Sequence, residues 1–148
     1  MSTIVIDRFS ALRRAISRTA AAVFAPHDVG TTQASVMREL GCVGHASQAS
    51  LARTLVQDPA ALARAIDVLE ARGWVRRIAS TADRRQKEVR LTDEGERAVE
   101  RIDESYTAFT TRIDAALTAE ERELFASLAD KMIAALAPGA EASAEVDP

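Results

Sequence analysis

Val5, Phe9, Leu12, Ile16, Thr19 and Val23 recur at spacings of 4, 3, 4, 3 and 4. That is the period of one helix face, and it predicts a first helix from Ile4 to Phe24. Arg8, Arg13, Arg14 and Arg18 fall on its other faces. Pro26 and Gly30 break the pattern. Thr31 is the N-cap candidate of a second helix running to about Gly41, with Val36, Met37 and Leu40 inward. Gly41-Cys42-Val43-Gly44-His45 reads as its C-cap and connector. A third helix is capped by Ser47 and turns Leu51, Ala52 and Leu55 inward; Ala52 is small where the next helix must cross closely. Ser50 stands where a capping box would carry Glu or Gln. Asp58-Pro59 opens a fourth helix, because Asp accepts bonds from free helix N–H groups and Pro is tolerated at the first helical position. That helix runs to Arg72 and buries Leu62, Ile66 and Leu69, and Gly73 supplies the left-handed residue that ends it.

The period then changes. Trp74–Ile78 and Gln86–Leu91 read as two antiparallel strands, with β-branched Val75 and Val89 and with Trp74 and Leu91 as anchors to the core. The tip between them, Ala79 to Arg85, is polar and basic. Thr92 caps a long helix from Asp93 to about Leu117, on which Val99, Ile102, Tyr106, Phe109, Ile113 and Ala116 repeat at 3, 4, 3, 4 and 3. At its expected length of roughly 35–40 Å it exceeds what a small core needs. Thr118-x-x-Glu121 is a capping box for a last helix with Leu124, Leu128, Met132 and Leu136 on one face. Ala137 to Pro148 has no periodicity and is expected to be a disordered acidic tail.

The expected fold is therefore mainly α with a small β-hairpin: a winged helix-turn-helix lobe at residues 31–92 on a helical base. Residues 1–30 and 93–137 are expected to supply that base, as dimerisation helices, because their apolar seams exceed what one lobe can bury. Residues 138–148 form the tail.

Charge sharpens this picture. The chain's net charge is −3, yet Ser47–Thr92 holds nine basic and five acidic side chains, a surplus of four that leaves −7 elsewhere. A basic centre between acidic ends suits a phosphate-binding surface attached to parts that do not bind phosphate. No run approaches the roughly 20 apolar residues of a membrane helix, so no membrane partner is expected. The N-terminus lacks the basic-then-apolar order of a signal peptide, and Cys42 is the only cysteine, so a reducing cytoplasm is expected.

No catalytic set is visible: there is no glycine-rich phosphate loop, no metal-ligand spacing and no nucleophile elbow. The chain is expected not to be an enzyme and to need no cofactor. Cys42, His45 and His27 could hold a metal between subunits, but a buried thiol and two ordinary imidazoles is the preferred reading. A redox role for Cys42 would need an exposed, electropositive setting.

Five stretches together carry a family resemblance. They are Ser47-x-x-x-Leu51-Ala52, Asp58-Pro59, Leu69-Glu70-x-x-Gly73-x-Val75-x-Arg77, Asp83-Arg84-Arg85 and Leu91-Thr92-x-x-Gly95. In this order the chain resembles the MarR family of bacterial transcriptional regulators over nearly its whole length. The resemblance implies a homodimer on double-stranded DNA, more often repressing than activating. It also implies a small, often aromatic or phenolic, effector bound between the base and the DNA-binding lobe. Residues 59–72 would enter a major groove and the hairpin tip a minor groove. The DNA-binding residues implied are Gln48, Gln57, Ala60, Ala61, Arg64, Arg77, Asp83, Arg84 and Arg85. Asp83 would hold the tip while Arg85 reaches the groove. Phe24, Met37, Cys42, His45 and Trp74 are the candidate effector-pocket residues.

The chain departs from the family where Ala60, Ala61 and Ala63 replace frequent Ser or Thr. Ala donates no side-chain hydrogen bond but can touch a thymine methyl, so base readout would rest on Arg64. The alternative is a winged-helix protein-interaction module that has lost DNA binding. The alanine-rich helix and overall acidity favour it; the basic tip opposes it.

Overall fold

A computed structural model describes residues 4–80 and 87–136. The expected wing tip, with Asp83, Arg84 and Arg85, and the acidic tail lie outside the described residues. The chain divides into two compact units, residues 1–109 and 110–148.

The first unit begins with α1 (Ile4–Phe24) and a short 3-10 turn, Ala25–His27. Helix α2 (Thr31–Val43) follows, then strand β1 (His45–Ser47), α3 (Gln48–Thr54) and α4 (Pro59–Ala71). Strands β2 (Val75–Ala79) and β3 (Lys87–Leu91) lead into α5 (Asp93–Asp114). The second unit holds the end of α5 and α6 (Ala119–Ala135).

Most boundaries sit where the caps predict. Ser47 Oγ accepts from the Ser50 N–H at 3.1 Å. Asp58 Oδ2 accepts from the Ala61 N–H at 2.8 Å. Thr92 Oγ1 accepts from the Gly95 N–H at 3.1 Å. Thr118 and Glu121 make the reciprocal bonds of a capping box. Helix α2 departs from expectation: its cap is Gly30, whose N–H donates to Gln33 Oε1 at 2.9 Å, and Thr31 is already helical. The helix also runs on to Val43, and Gly44 at φ +81° closes it.

The sheet has three strands, in the order β1-β3-β2, all antiparallel. The expected hairpin is present, one residue later at its start. The third strand, β1, was expected as connector and pairs His45, Ala46 and Ser47 with Arg90, Val89 and Glu88. Three residues without apolar alternation carry no strand signal of their own; the open edge of β3 recruits them.

Helices α2, α3 and α4 pack with the sheet and the first half of α5 around one core. Its most enclosed side chains include Met37, Leu40, Leu51, Leu62, Ile66 and Leu69. Phe24, Tyr106 and Phe109 extend it: the Phe24 and Tyr106 rings stack at 6.3 Å, and Phe109 meets Tyr106 edge-on at 6.2 Å. The Arg38 guanidinium lies 3.5 Å over the Tyr106 ring and pairs with Asp103, tying α2 to α5.

Contacts with the Gly73–Trp74 turn fix the start of α5. Thr92 donates its N–H to the Trp74 carbonyl at 3.0 Å and its hydroxyl to the Gly73 carbonyl at 2.6 Å. Gly95, one turn later, lies so close that a Cβ there would stand 1.9 Å from the Trp74 carbonyl oxygen. The Leu91-Thr92-x-x-Gly95 stretch thus has a steric basis: only glycine lets the helix start lie on the Gly73–Trp74 turn.

The seam of α1 does not pack on the core of its own chain. Ile4, Val5, Ile6, Phe9, Leu12 and Ile16 are exposed, and only the helix end, from Thr19 on, turns inward. Helix α6 has no buried residue, and Leu124, Phe125, Leu128, Ile133 and Leu136 are exposed. Among the described residues no helix is long and apolar enough to cross a membrane.

Candidate nucleic-acid interface

Helix α4 presents two different halves. Leu62, Ile66 and Leu69 anchor it in the core, as their spacing predicts. On its N-terminal half Ala60 and Arg64 are exposed and Ala61 and Ala63 half-buried. Arg64 has no hydrogen-bond or ion-pair partner among the described residues. A short, smooth helix face with one unpaired cation is the result. Asp58 at the cap and the first-turn N–H groups lie at the end of that face.

The turn before α4 is strained. Val56 sits at φ +50°, with its side chain 89% exposed. A β-branched residue is costly in that left-handed region. Gln57 follows, half-buried, and accepts from Thr32 Oγ1 at a long 3.4 Å. Gln48 is the first residue of α3 and is half-buried.

At the other end of α4, the turn into β2 is built as a Schellman motif. Trp74 N–H donates to Leu69 O at 3.0 Å and Gly73 N–H to Glu70 O at 2.9 Å, with Gly73 at φ +73° as predicted. Arg72 lies over the Trp74 ring at 4.3 Å and pairs with Asp28.

Arg77 takes a place that sequence reasoning missed. It was expected on DNA, but its side chain points back to α4 and is 23% exposed. Nη2 donates to Asp67 Oδ1 at 2.6 Å, and Nη1 donates to Glu70 Oε2. Glu70 Oε1 also accepts the Arg77 backbone N–H at 3.1 Å. Asp67 foremost, then Glu70, raise the Arg77 pKa above its ordinary value, against an opposing effect of burial. The signal was available: Asp67 and Glu70, three apart, share one helix face, and Glu70 and Arg77 flank the Gly73 turn.

On the outer face of the sheet, Arg90 stands directly between Arg76 and His45. All three are exposed. Glu88 accepts from Ser80 Oγ at 2.8 Å and lies 2.9 Å from His45 Nδ1. With Lys87, these residues make the described part of the hairpin basic, as the charge pattern predicted.

The candidate effector residues scatter. Phe24 and Met37 are buried in the core, Trp74 is half-buried, and Cys42 and His45 are exposed. They line none of three open grooves among the described residues. Two adjoining grooves, of about 590 and 300 Å³, run between Gly30–Gln33 and the Arg64, Ala65, Val68 and Arg72 side of α4. The third lies between Gly73, Arg76 and the first turn of α5. Among the described residues no group of three or more His, Cys, Asp or Glu could hold a metal ion; His27 Nε2 is instead 2.8 Å from Ser105 Oγ.

This arrangement has known counterparts. The family model described as MarR family matches residues 31–87. The transcriptional regulator HosA of Escherichia coli O127:H6 is 34% identical over 113 residues, covering 72% of this chain and 78% of HosA. The multiple antibiotic resistance protein MarR of Salmonella typhimurium is 34% identical over 70 residues, 47% of this chain and 49% of that protein. Among solved structures, a cysteine-to-serine mutant of E. coli MarR complexed with operator DNA is similar at TM-score 0.77 and 25% identity. It covers 87% of this chain and 94% of that one. The fold is also that of S. aureus MepR in its DNA complex, at TM-score 0.82 and 19% identity, over 91% of this chain and 99% of MepR. On the strength of the HosA match, with the family model across the helix-turn-helix and the first hairpin strand, this chain belongs to the MarR family of transcriptional regulators.

Proposed function

We propose that two copies of this chain bind a pseudo-palindromic operator and repress transcription, and that a small effector, with aromatic compounds the first class to test, releases them. The observation that carries the DNA-binding part is the exposed face on the N-terminal half of α4, with its unpaired Arg64, on a helix that leads into a basic hairpin. That surface fits a major groove in the way of helix-turn-helix proteins. Arg64 offers the fork that guanine O6 and N7 accept, Ala60 and Ala61 offer methyl contacts, and Gln57, just before the α4 cap, and Gln48, at the start of α3, are the further candidates. Asp83, Arg84 and Arg85 complete the reading from sequence alone, with Arg85 directed to a minor groove. Support for the homodimer comes from the exposed apolar residues of α1 and, separately, of α6. A regulator of this kind works in the cytoplasm, where its DNA is.

The test is one titration series across salt and sequence, with DNA enriched from random sequence by the wild-type protein. Arg64→Ala is expected to remove roughly 1–3 kcal/mol of discrimination per site and so narrow the gap between chosen and unrelated DNA. Arg85→Ala is expected to weaken both duplexes by similar factors and to lower the log–log salt slope by about 2 for a dimer, at about 0.9 per lost contact. An unchanged specificity ratio in the first variant means that Arg64 does not read bases. Wild-type protein that enriches and binds no duplex overturns the reading in favour of an interaction module. For the effector, a thermal-shift screen with aromatic acids is expected to yield a stabiliser that also releases DNA. A differential preference of about 1–3 kcal/mol between the two arrangements suffices. Stabilisers that leave DNA affinity unchanged would refute the coupling.

A further inference from the structure

Strand β2 is an edge strand, so its outward backbone groups need covering. Glu70 covers the N–H of Arg77, and the same carboxylate with Asp67 receives the two Nη atoms of the guanidinium. Three contacts thus join the C-terminal half of α4 to the hairpin stem through one residue, Arg77. Asp67 and Glu70 lie three and six residues along the helix from Arg64, and Arg77 stands at the root of the segment that leads to Asp83–Arg85. A guanidinium is suited to this because its planar fork holds two acceptors at once, where an ammonium is a point charge.

We propose that Arg77 is a positioning residue: held on Asp67 and Glu70, it sets the angle between the recognition helix and the hairpin stem and does not itself contact DNA. This rests on the DNA-binding reading above. A duplex offers its major and minor grooves at a fixed separation, so two reading elements on one protein must keep a fixed separation too. The Gly73 turn alone leaves that angle to a few backbone torsions, and the clamp closes it from the far side.

Direct contact and positioning predict opposite signs for the acids. If Arg77 touched phosphate, Asp67 and Glu70 would compete with DNA, and Asp67→Asn with Glu70→Gln would tighten binding by removing negative charge. The clamp predicts that the same double variant weakens binding. Full-length protein is titrated by fluorescence anisotropy against the duplex enriched by the wild type, at several salt concentrations, after circular dichroism has established that each variant is folded. Arg77→Ala and the Asp67→Asn/Glu70→Gln variant are each expected to lose about tenfold in affinity, within the range of coupled contacts. The triple variant is expected to lose no more than either, and the salt slope to stay at the wild-type value. Arg77→Lys is expected to fall between Arg77→Ala and the wild type.

Wild-type affinity in folded Arg77→Ala overturns the proposal, and so does a salt slope lowered by about 2. Tighter binding by the Asp67→Asn/Glu70→Gln variant overturns it independently, and decides the matter if Arg77→Ala does not fold. Wild-type protein that binds no duplex would instead remove the DNA-binding reading beneath it, a result distinct from all of these.

Discussion

Val56 and the glycines show how much a single backbone angle decides. Val56 holds φ +50° with almost no burial to compensate, so its strain is exposed to a clean test. Left-handed backbone costs a residue with a Cβ about 1–2 kcal/mol, and glycine's extra freedom in the unfolded chain returns part of that. Val56→Gly is therefore expected to stabilise the fold by about 0.5–1 kcal/mol. Urea denaturation followed by circular dichroism measures it, and a lowered midpoint would contradict the strain. A valine at this turn is one of the few places where the residue type argues against the conformation it adopts.

At the scale of elements, Gly41 and Gly95 separate two reasons for glycine in a helix. A Cβ at Gly41 would meet the Val99 methyls at 3.7 and 3.8 Å, ordinary contact. Gly41→Ala is expected to stabilise α2 by about 0.5–1 kcal/mol, the usual cost of glycine inside a helix. A Cβ at Gly95 would collide with the backbone oxygen of Trp74, which no side-chain rotation relieves. Gly95→Ala is expected to cost about 3 kcal/mol or more, as overpacking against backbone does, and to loosen the hairpin from α5. Thermal unfolding of the two variants side by side checks both. Equal shifts in the same direction would show that the close approach at Gly95 has no energetic consequence.

For the whole molecule, the decisive feature is apolar surface that one chain leaves in water. Phe9 is 52% exposed and its neighbours on the same seam, Val5 and Leu12, are 49% and 40% exposed. Contiguous apolar surface of this kind marks an interaction site. Light scattering at micromolar concentration is expected to give about twice the chain mass of 15.9 kDa. Phe9→Glu with Leu12→Glu is expected to shift that mass toward a single chain and to lower thermal stability with it, since folding and association are linked. A wild-type chain that is folded and stable as a monomer would leave these faces without their proposed occupant.

What the sequence determined on its own is local. Ser47, Asp58, Thr92 and Thr118 each cap the helix they were expected to cap, because the donor and acceptor lie within three residues of one another. Gly73 is left-handed where the helix pattern stops, and the 3.6-residue period of α4 identified the buried Leu62, Ile66 and Leu69. The basic hairpin stem was legible from charge. Tertiary structure alone decided which partners meet across the chain. It turned His45–Ser47 from connector into strand by offering the edge of β3. It placed Arg77 on two carboxylates rather than outward, and left the α1 seam uncovered while enclosing Phe24 beside Tyr106. The physical reason is the reach of each interaction. Caps and helix faces are settled by residues a turn apart, whereas an edge strand, a guanidinium or an apolar seam accepts any suitable partner, and only the folded chain determines which one is near.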